Sequence, residues 1–243
     1  MKQLTQYINE KLHVGKVNTK KPNPKYFPET REELDNLLHK LFEERGYDAD
    51  LNDIDVSKID DMSNLFDNDK FDNKLKNFSV KWWDVSNVFD MEKMFAGCKF
   101  FDCDLSEWDV SNVNNFARTF YYCKNFKGFG LDKWNVTKGE YFTSMFNHCD
   151  KFDCDLSSWN LKNAKTTASM FADCHIFIGK GLENWDISNN TSIFKMFINC
   201  YKLRVNLDNW DISKIEYKSN KVQVFDKCSN MKKLPSWYEK NDY

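Results

Sequence analysis

The sequence predicts an α/β repeat solenoid of about seven coils of 25 to 26 residues, each a short strand plus a turn of helix, closed by an N-terminal helix. Three columns carry this expectation. Cys98, Cys123, Cys149, Cys174, Cys200 and Cys228 are separated by 25, 26, 25, 26 and 28 residues. Three residues before each stands a phenylalanine: Phe95, Phe120, Phe146, Phe171, Phe197 and Phe225, with an earlier copy at Phe66 followed by Asp69 in the cysteine place. Tryptophan recurs at Trp83, Trp108, Trp134, Trp159, Trp185, Trp210 and Trp237, each three residues after an aliphatic side chain.

The elements follow in chain order. Residues 1–28 read as a leader and linker: Leu4, Ile8 and Leu12 make a short amphipathic stripe, and VNTKKPNPK has the Lys-, Asn- and Pro-rich composition of a spacer. Residues 29–46 form the strongest helix signal. Thr30 and Glu33 fit a capping box, Gly46 supplies the stop, and Leu34, Leu37, Leu38, Leu41 and Phe42 line one face, as a cap over the first coil requires. Residues 47–243 hold the repeats, whose last coil ends near Trp237 with no second cap in view.

Within a coil, MEKMFAGC and TSMFNHC place Met and Phe at helical spacing and read as a helical turn, whereas FDCDLSEW alternates apolar and polar residues and reads as a strand. Coils alternate in length. FDCDLSEW (101–108) and FDCDLSSW (152–159) take four steps from Phe to Leu; FKGFGLDKW (126–134) and FIGKGLENW (177–185) take five, the extra residue falling in a glycine-containing bend. The superperiod is therefore 51 residues, and Cys103 and Cys154 are equivalent within it.

The phrase MFAGCKFFDCDLSEWDVSNV resembles the repeat of the BspA-type leucine-rich-repeat surface-protein family over roughly residues 51–238. That resemblance implies a curved, leucine-rich-repeat-like solenoid and a role in adhesion or interaction.

Composition narrows the classes of function. Thirty-five Lys and Arg nearly balance 37 Asp and Glu, so no net field draws the chain to nucleic acid. No stretch approaches the ~20 apolar residues of a membrane span, and MKQLTQYINEKLHV lacks the apolar run of a secretory signal. A cytoplasmic or virion-like location is expected in preference to classical secretion, and the eight cysteines are expected as free thiols.

The chemistry-bearing residues sit at fixed places in the repeat. Ligands one coil apart point the same way and do not surround a tetrahedral metal, so the cysteine column reads as small buried side chains. His148 and His175 adjoin Cys149 and Cys174, but neighbours in a chain point apart and no third orienting residue is evident. Asp102, Asp104, Asp153 and Asp155 flank Cys103 and Cys154 and are the exposed positions that would colour a binding face. No catalytic residue, metal or cofactor is expected. The expected function is a non-catalytic interaction or adhesion scaffold that binds a protein or glycan through one face. The alternative is a structural component of a virion or cell envelope docked by the leader.

Overall fold

Thr30 opens the first element: its Oγ1 accepts the Glu33 backbone N–H at 3.2 Å, while the Glu33 carboxylate reaches back to the Glu29 N–H at 2.7 Å. The return bond of the capping box thus lands one residue before Thr30. Helix α1, Arg31–Arg45, ends where Gly46, at φ +89°, sends its N–H to the Phe42 carbonyl at 3.0 Å. In this computed structural model, residues 20–239 are described; the amphipathic leader read over 1–15 lies outside them.

Helix α1 buries Leu34, Leu38, Leu41 and Phe42. Phe42 meets the rings of Phe66, Phe71 and Phe78 edge-on at 6.2, 5.3 and 5.5 Å, so the helix covers the aromatic end of the first coils. Both helix ends are tied to the coils. Arg31 Nη1 donates to the Ser63 carbonyl at 2.8 Å, and Arg45 grips Asp53 with two bonds of 2.9 and 3.0 Å. That guanidinium holds the Asp53 carboxyl below its usual value.

From Asp50 onward the chain stacks coil on coil. Phe95, Phe120, Phe146, Phe171 and Phe197 each donate a backbone N–H to the carbonyl just before the phenylalanine of the next coil, at 2.9 to 3.0 Å. Their rings stack at 5.4 to 5.7 Å. The indoles from Trp108 to Trp237 stack at 6.3 to 6.5 Å, and each donates Nε1–H to a carbonyl of the preceding coil, as Trp134 does to Leu105 at 3.2 Å. These ladders are the core. At the far end Tyr238 sets its ring edge-on against Phe225 at 5.0 Å.

The α/β character expected from the sequence is overturned. Among the described residues α1 is the single α-helix, and extended pairing is limited to isolated parallel bridges such as Asp90 with Asn115 and Asn115 with Tyr141. The coils are built from turns and are neither strand-plus-helical-turn units nor leucine-rich-repeat-like ones. The reason is local. Lys93 and Gly97, Arg118 and Tyr122, Ser144 and His148, Ser169 and Asp173, and Lys195 and Asn199 all have φ between 53° and 73°. A pair of left-handed residues four apart in each of these coils ends a helical turn as soon as it forms and aims the N–H groups along the stack instead of at the carbonyl four residues back. Met and Phe keep their helical spacing because the same turns bring them inward.

The alternating stretch FDCDLSEW buries Phe101, Cys103 and Leu105, but its backbone does not pair as a strand. Side chains take the place of ladder carbonyls: Asn77 Oδ1 accepts the Asp102 N–H at 2.9 Å, and Asp102 Oδ1 accepts the Lys127 N–H at 3.0 Å. The extra residue in each longer coil moves the backbone off register. There Gly130 and Gly181 adopt φ +91° and +93°, and short 3₁₀ turns follow at Leu131–Lys133 and Leu182–Asn184.

Candidate functional site

The side chains of the repeat divide into inward columns and two exposed faces. The inward set is Phe95, Cys98, Trp108, Phe120, Cys123, Trp134, Phe146, Cys149, Trp159, Phe171, Cys174, Trp185, Phe197, Cys200 and Trp210, all buried. The six column cysteines each donate S–H to the phenylalanine carbonyl of the preceding coil, at 2.9 to 3.1 Å. All eight cysteines are free thiols. Burial pushes the column thiols well above the ordinary value and raises Cys154 to about 12, so none is a poised thiolate.

Of the four aspartates expected as exposed positions only Asp153 is exposed and the other three are half-buried, because they join coils together. Asp102 and Asp153 are equivalent: each Oδ1 accepts a backbone N–H one coil on, from Lys127 and Ile178, both at 3.0 Å. Asp104 and Asp155 are also equivalent, each accepting the N–H of Ser106 or Ser157 at 3.0 Å and pairing with Lys81 or Lys180 at 2.7 Å. Lys180 and Ser157 bring the Asp155 carboxyl down to about 2. At Asp104 partial burial opposes the ionised form, but Lys81 and Ser106 together outweigh it and the value falls. Asp153 and Asp155 also rim a groove with Phe129 and Ile176, side chains that are 54 and 44% exposed.

The other exposed face is the edge formed by the left-handed turns, and there the structure assembles more than the sequence indicated. His148 Nε2 stands 3.6 Å from Asp173 Oδ2, while His175 Nδ1 stands 3.4 Å from Asp150 Oδ1 and its Nε2 4.0 Å from Asp173 Oδ1. Asp173 is thus the third residue facing both imidazoles. The Tyr122 ring packs at a tilt against His148 at 4.1 Å, Tyr201 stacks on His175 at 5.1 Å, and Asn199 Nδ2 donates to Asp173 at 2.7 Å. The strip crosses four coils without a break. Its thiol neighbours play no part, because Cys149 and Cys174 turn inward to the Phe120 and Phe146 carbonyls. The signal for Asp173 was present in the sequence: it occupies the residue before cysteine, as His148 does one coil earlier.

The profile described as Mycoplasma protein of unknown function, DUF285, matches residues 36–138, 79–182 and 129–238. The chain belongs to this family. The three matched windows overlap and together take in the coils and most of α1, each window covering about four coils of this DUF285 chain. No curated protein and no solved structure matches it.

Within this DUF285 chain, the residue before cysteine is Gly97, Tyr122, His148, Asp173 and Asn199 in successive coils, and the residue after it is Lys99, Lys124, Asp150, His175 and Tyr201. From Phe95 to Trp210 the inward columns hold one residue type each, whereas the residue before cysteine differs in each of these five coils and the residue after it is Lys twice and then Asp, His and Tyr. Among the described residues, no three His, Cys, Asp or Glu side chains are grouped to hold a metal, and no helix is long and apolar enough to cross a membrane.

Proposed function

We propose that the chain is a non-catalytic binding scaffold whose left-handed-turn edge recognises a protein or glycan. The observation that carries this reading is the strip running from Tyr122 through His148, Asp173 and His175 to Tyr201, where aromatic faces, imidazoles and carboxylates lie side by side on a rigid stack. Such a surface offers hydrogen bonds and apolar contact together, and it needs little reorganisation on binding because each left-handed residue is fixed by coil-to-coil hydrogen bonds. The resemblance of the repeat phrase to BspA-type surface proteins supports the same reading, an adhesive role included, without carrying over their leucine-rich-repeat geometry.

The test is retention of ligands from native-host extract and from a glycan array by the immobilised chain. A saturable ligand is expected for the parent chain and not for a variant combining His148→Ala, His175→Ala and Tyr201→Ala, with the unfolding midpoint of the two unchanged within experimental error. A chain that retains nothing, or a turnover that the same variant abolishes, overturns the proposal.

A further inference from the structure

In the edge column that carries Tyr122, His148, Asp173 and Asn199, the first coil with a column cysteine has a residue without a side chain, Gly97. Its φ of +73° lies in the same left-handed region as the 60° to 62° of Tyr122, His148, Asp173 and Asn199, so rotation of the backbone does not by itself require glycine. A Cβ there would stand 3.3 Å from the Asn68 Cβ, so the glycine lets Asn68 approach closely and adds no side chain to the edge at this coil. A cavity of about 470 Å³ opens there, within the range of small-ligand sites. Gly97 itself is held in place: buried Asn68 donates Nδ2–H to its carbonyl at 2.9 Å and accepts the Leu75 N–H at 3.0 Å.

The walls differ from the rest of the edge. Tyr121 and Tyr122, half-buried and packed edge-to-face at 4.9 Å, form one side. Lys93, Lys99 and Arg118 line the cavity, and none of the three pairs with a carboxylate among the described residues, although thirteen pairs of a Lys or Arg side chain with a carboxylate occur elsewhere. Asp67 and Asp69 complete the lining, engaged only with a local N–H and with Asn73.

We propose that this cavity binds a sugar ring carrying a single carboxylate, as a terminal acidic residue of a glycan. The inference rests on the scaffold reading above and gives it a ligand class. Three cations against two carboxylates leave one positive charge, which suits a monoanion and disfavours a polyphosphate or nucleic-acid backbone. The Arg118 guanidinium has the fork geometry that matches a carboxylate. Tyrosine rings supply flat apolar surface with a polar tip for the face and hydroxyls of a pyranose, and Asp67 and Asp69 can accept bonds from further hydroxyls.

The test titrates the full chain by calorimetry with four probes: sialyllactose, a glucuronate-terminated disaccharide, lactose and inorganic phosphate. Sialyllactose is expected to bind saturably, lactose at least tenfold more weakly, and phosphate without measurable competition. Arg118→Gln, an exposed position, and Gly97→Asn, which adds a side chain at the cavity with a residue tolerant of φ > 0, should each weaken sialyllactose roughly tenfold or more while leaving the unfolding midpoint in place. No saturable binding of sialyllactose or of a glucuronate-terminated disaccharide, equal binding of lactose, equal binding of phosphate, or binding indifferent to both variants overturns the inference. Any of these results, with ligand retention still lost in the His148, His175 and Tyr201 variant, removes the cavity proposal and leaves the scaffold reading standing.

Discussion

Cys149 donates its S–H to the carbonyl oxygen of Phe120 at 3.0 Å, and the same oxygen accepts the backbone N–H of Cys123 at 3.0 Å. The phenylalanine carbonyl thereby satisfies both lone pairs, one within its own coil and one across to the next. A small side chain with a single donor fits this place, where larger ones would push the coils apart. Cys149→Ala removes the donor and some packed volume, and should lower stability by about 1 to 2 kcal/mol. Cys149→Ser keeps a donor and should cost less than alanine. Urea unfolding of the two variants checks this, and a serine variant less stable than the alanine one would show that the S–H bond contributes nothing net.

Burial raises the folded-state value of the column thiols, so the folded chain keeps protons that the unfolded chain has lost above about pH 9. The contribution is therefore fully present below pH 9 and declines as the pH rises toward the raised folded values, about 12 for Cys154 and Cys228. Each buried thiol should steepen the fall by about 1.4 kcal/mol per pH unit in that window. Cys200→Ala should have a slope shallower than the parent by that amount between pH 9 and 11. Iodoacetamide at pH 8 should leave the folded cysteines unmodified and label all eight in urea.

The periodic part of this architecture was legible because inward columns repeat one residue type: Phe95, Cys98 and Trp108 announce themselves by recurrence. The backbone that carries them was not. Helical spacing in MEKMFAGC and TSMFNHC reflects inward-pointing side chains, and it is the same whether the turns are helical or interrupted by left-handed residues. Lys93, Arg118 and Ser144 give no hint of φ > 0, since residues of these types seldom adopt it. The four aspartates read as exposed positions, but nothing in one coil told that Asp102 would accept the Lys127 N–H in the next. The edge strip was missed for a related reason: His148, Asp173 and His175 lie in columns that vary, and a varying column has no periodic signature.

Stacking makes the cost of a truncation depend on how many neighbours a coil has. Trp134 lies between Trp108 and Trp159 at 6.3 and 6.5 Å and donates to the Leu105 carbonyl, whereas Trp237 stacks on Trp210 alone and is only partly buried. Trp134→Ala should cost about 3 to 5 kcal/mol. Trp237→Ala should cost clearly less and act locally, raising hydrogen exchange in the last coil while protection around Phe95 and Phe120 stays at the parent level. Equal global loss from both substitutions would contradict nearest-neighbour stacking.

Glycine has two different uses along the stack, and substitution separates them. A Cβ on Gly130 would stand 2.2 Å from the Ser106 backbone nitrogen and 2.5 Å from its Cα, at φ +91°. Backbone meets backbone there, so no rotamer change relieves the contact, and the extra residue of the longer coil leaves no slack. At Gly97 the nearest atom is the Asn68 Cβ at 3.3 Å, and φ +73° lies in the left-handed region that Tyr122 and His148 occupy at 60° in equivalent places. Gly130→Ala should therefore cost more than about 3 kcal/mol or prevent folding, while Gly97→Asn should cost less than about 1 kcal/mol. Denaturant midpoints for the two variants, measured with the parent, decide it; comparable losses would mean that the close approach of Gly130 to Ser106 does not set the register between short and long coils.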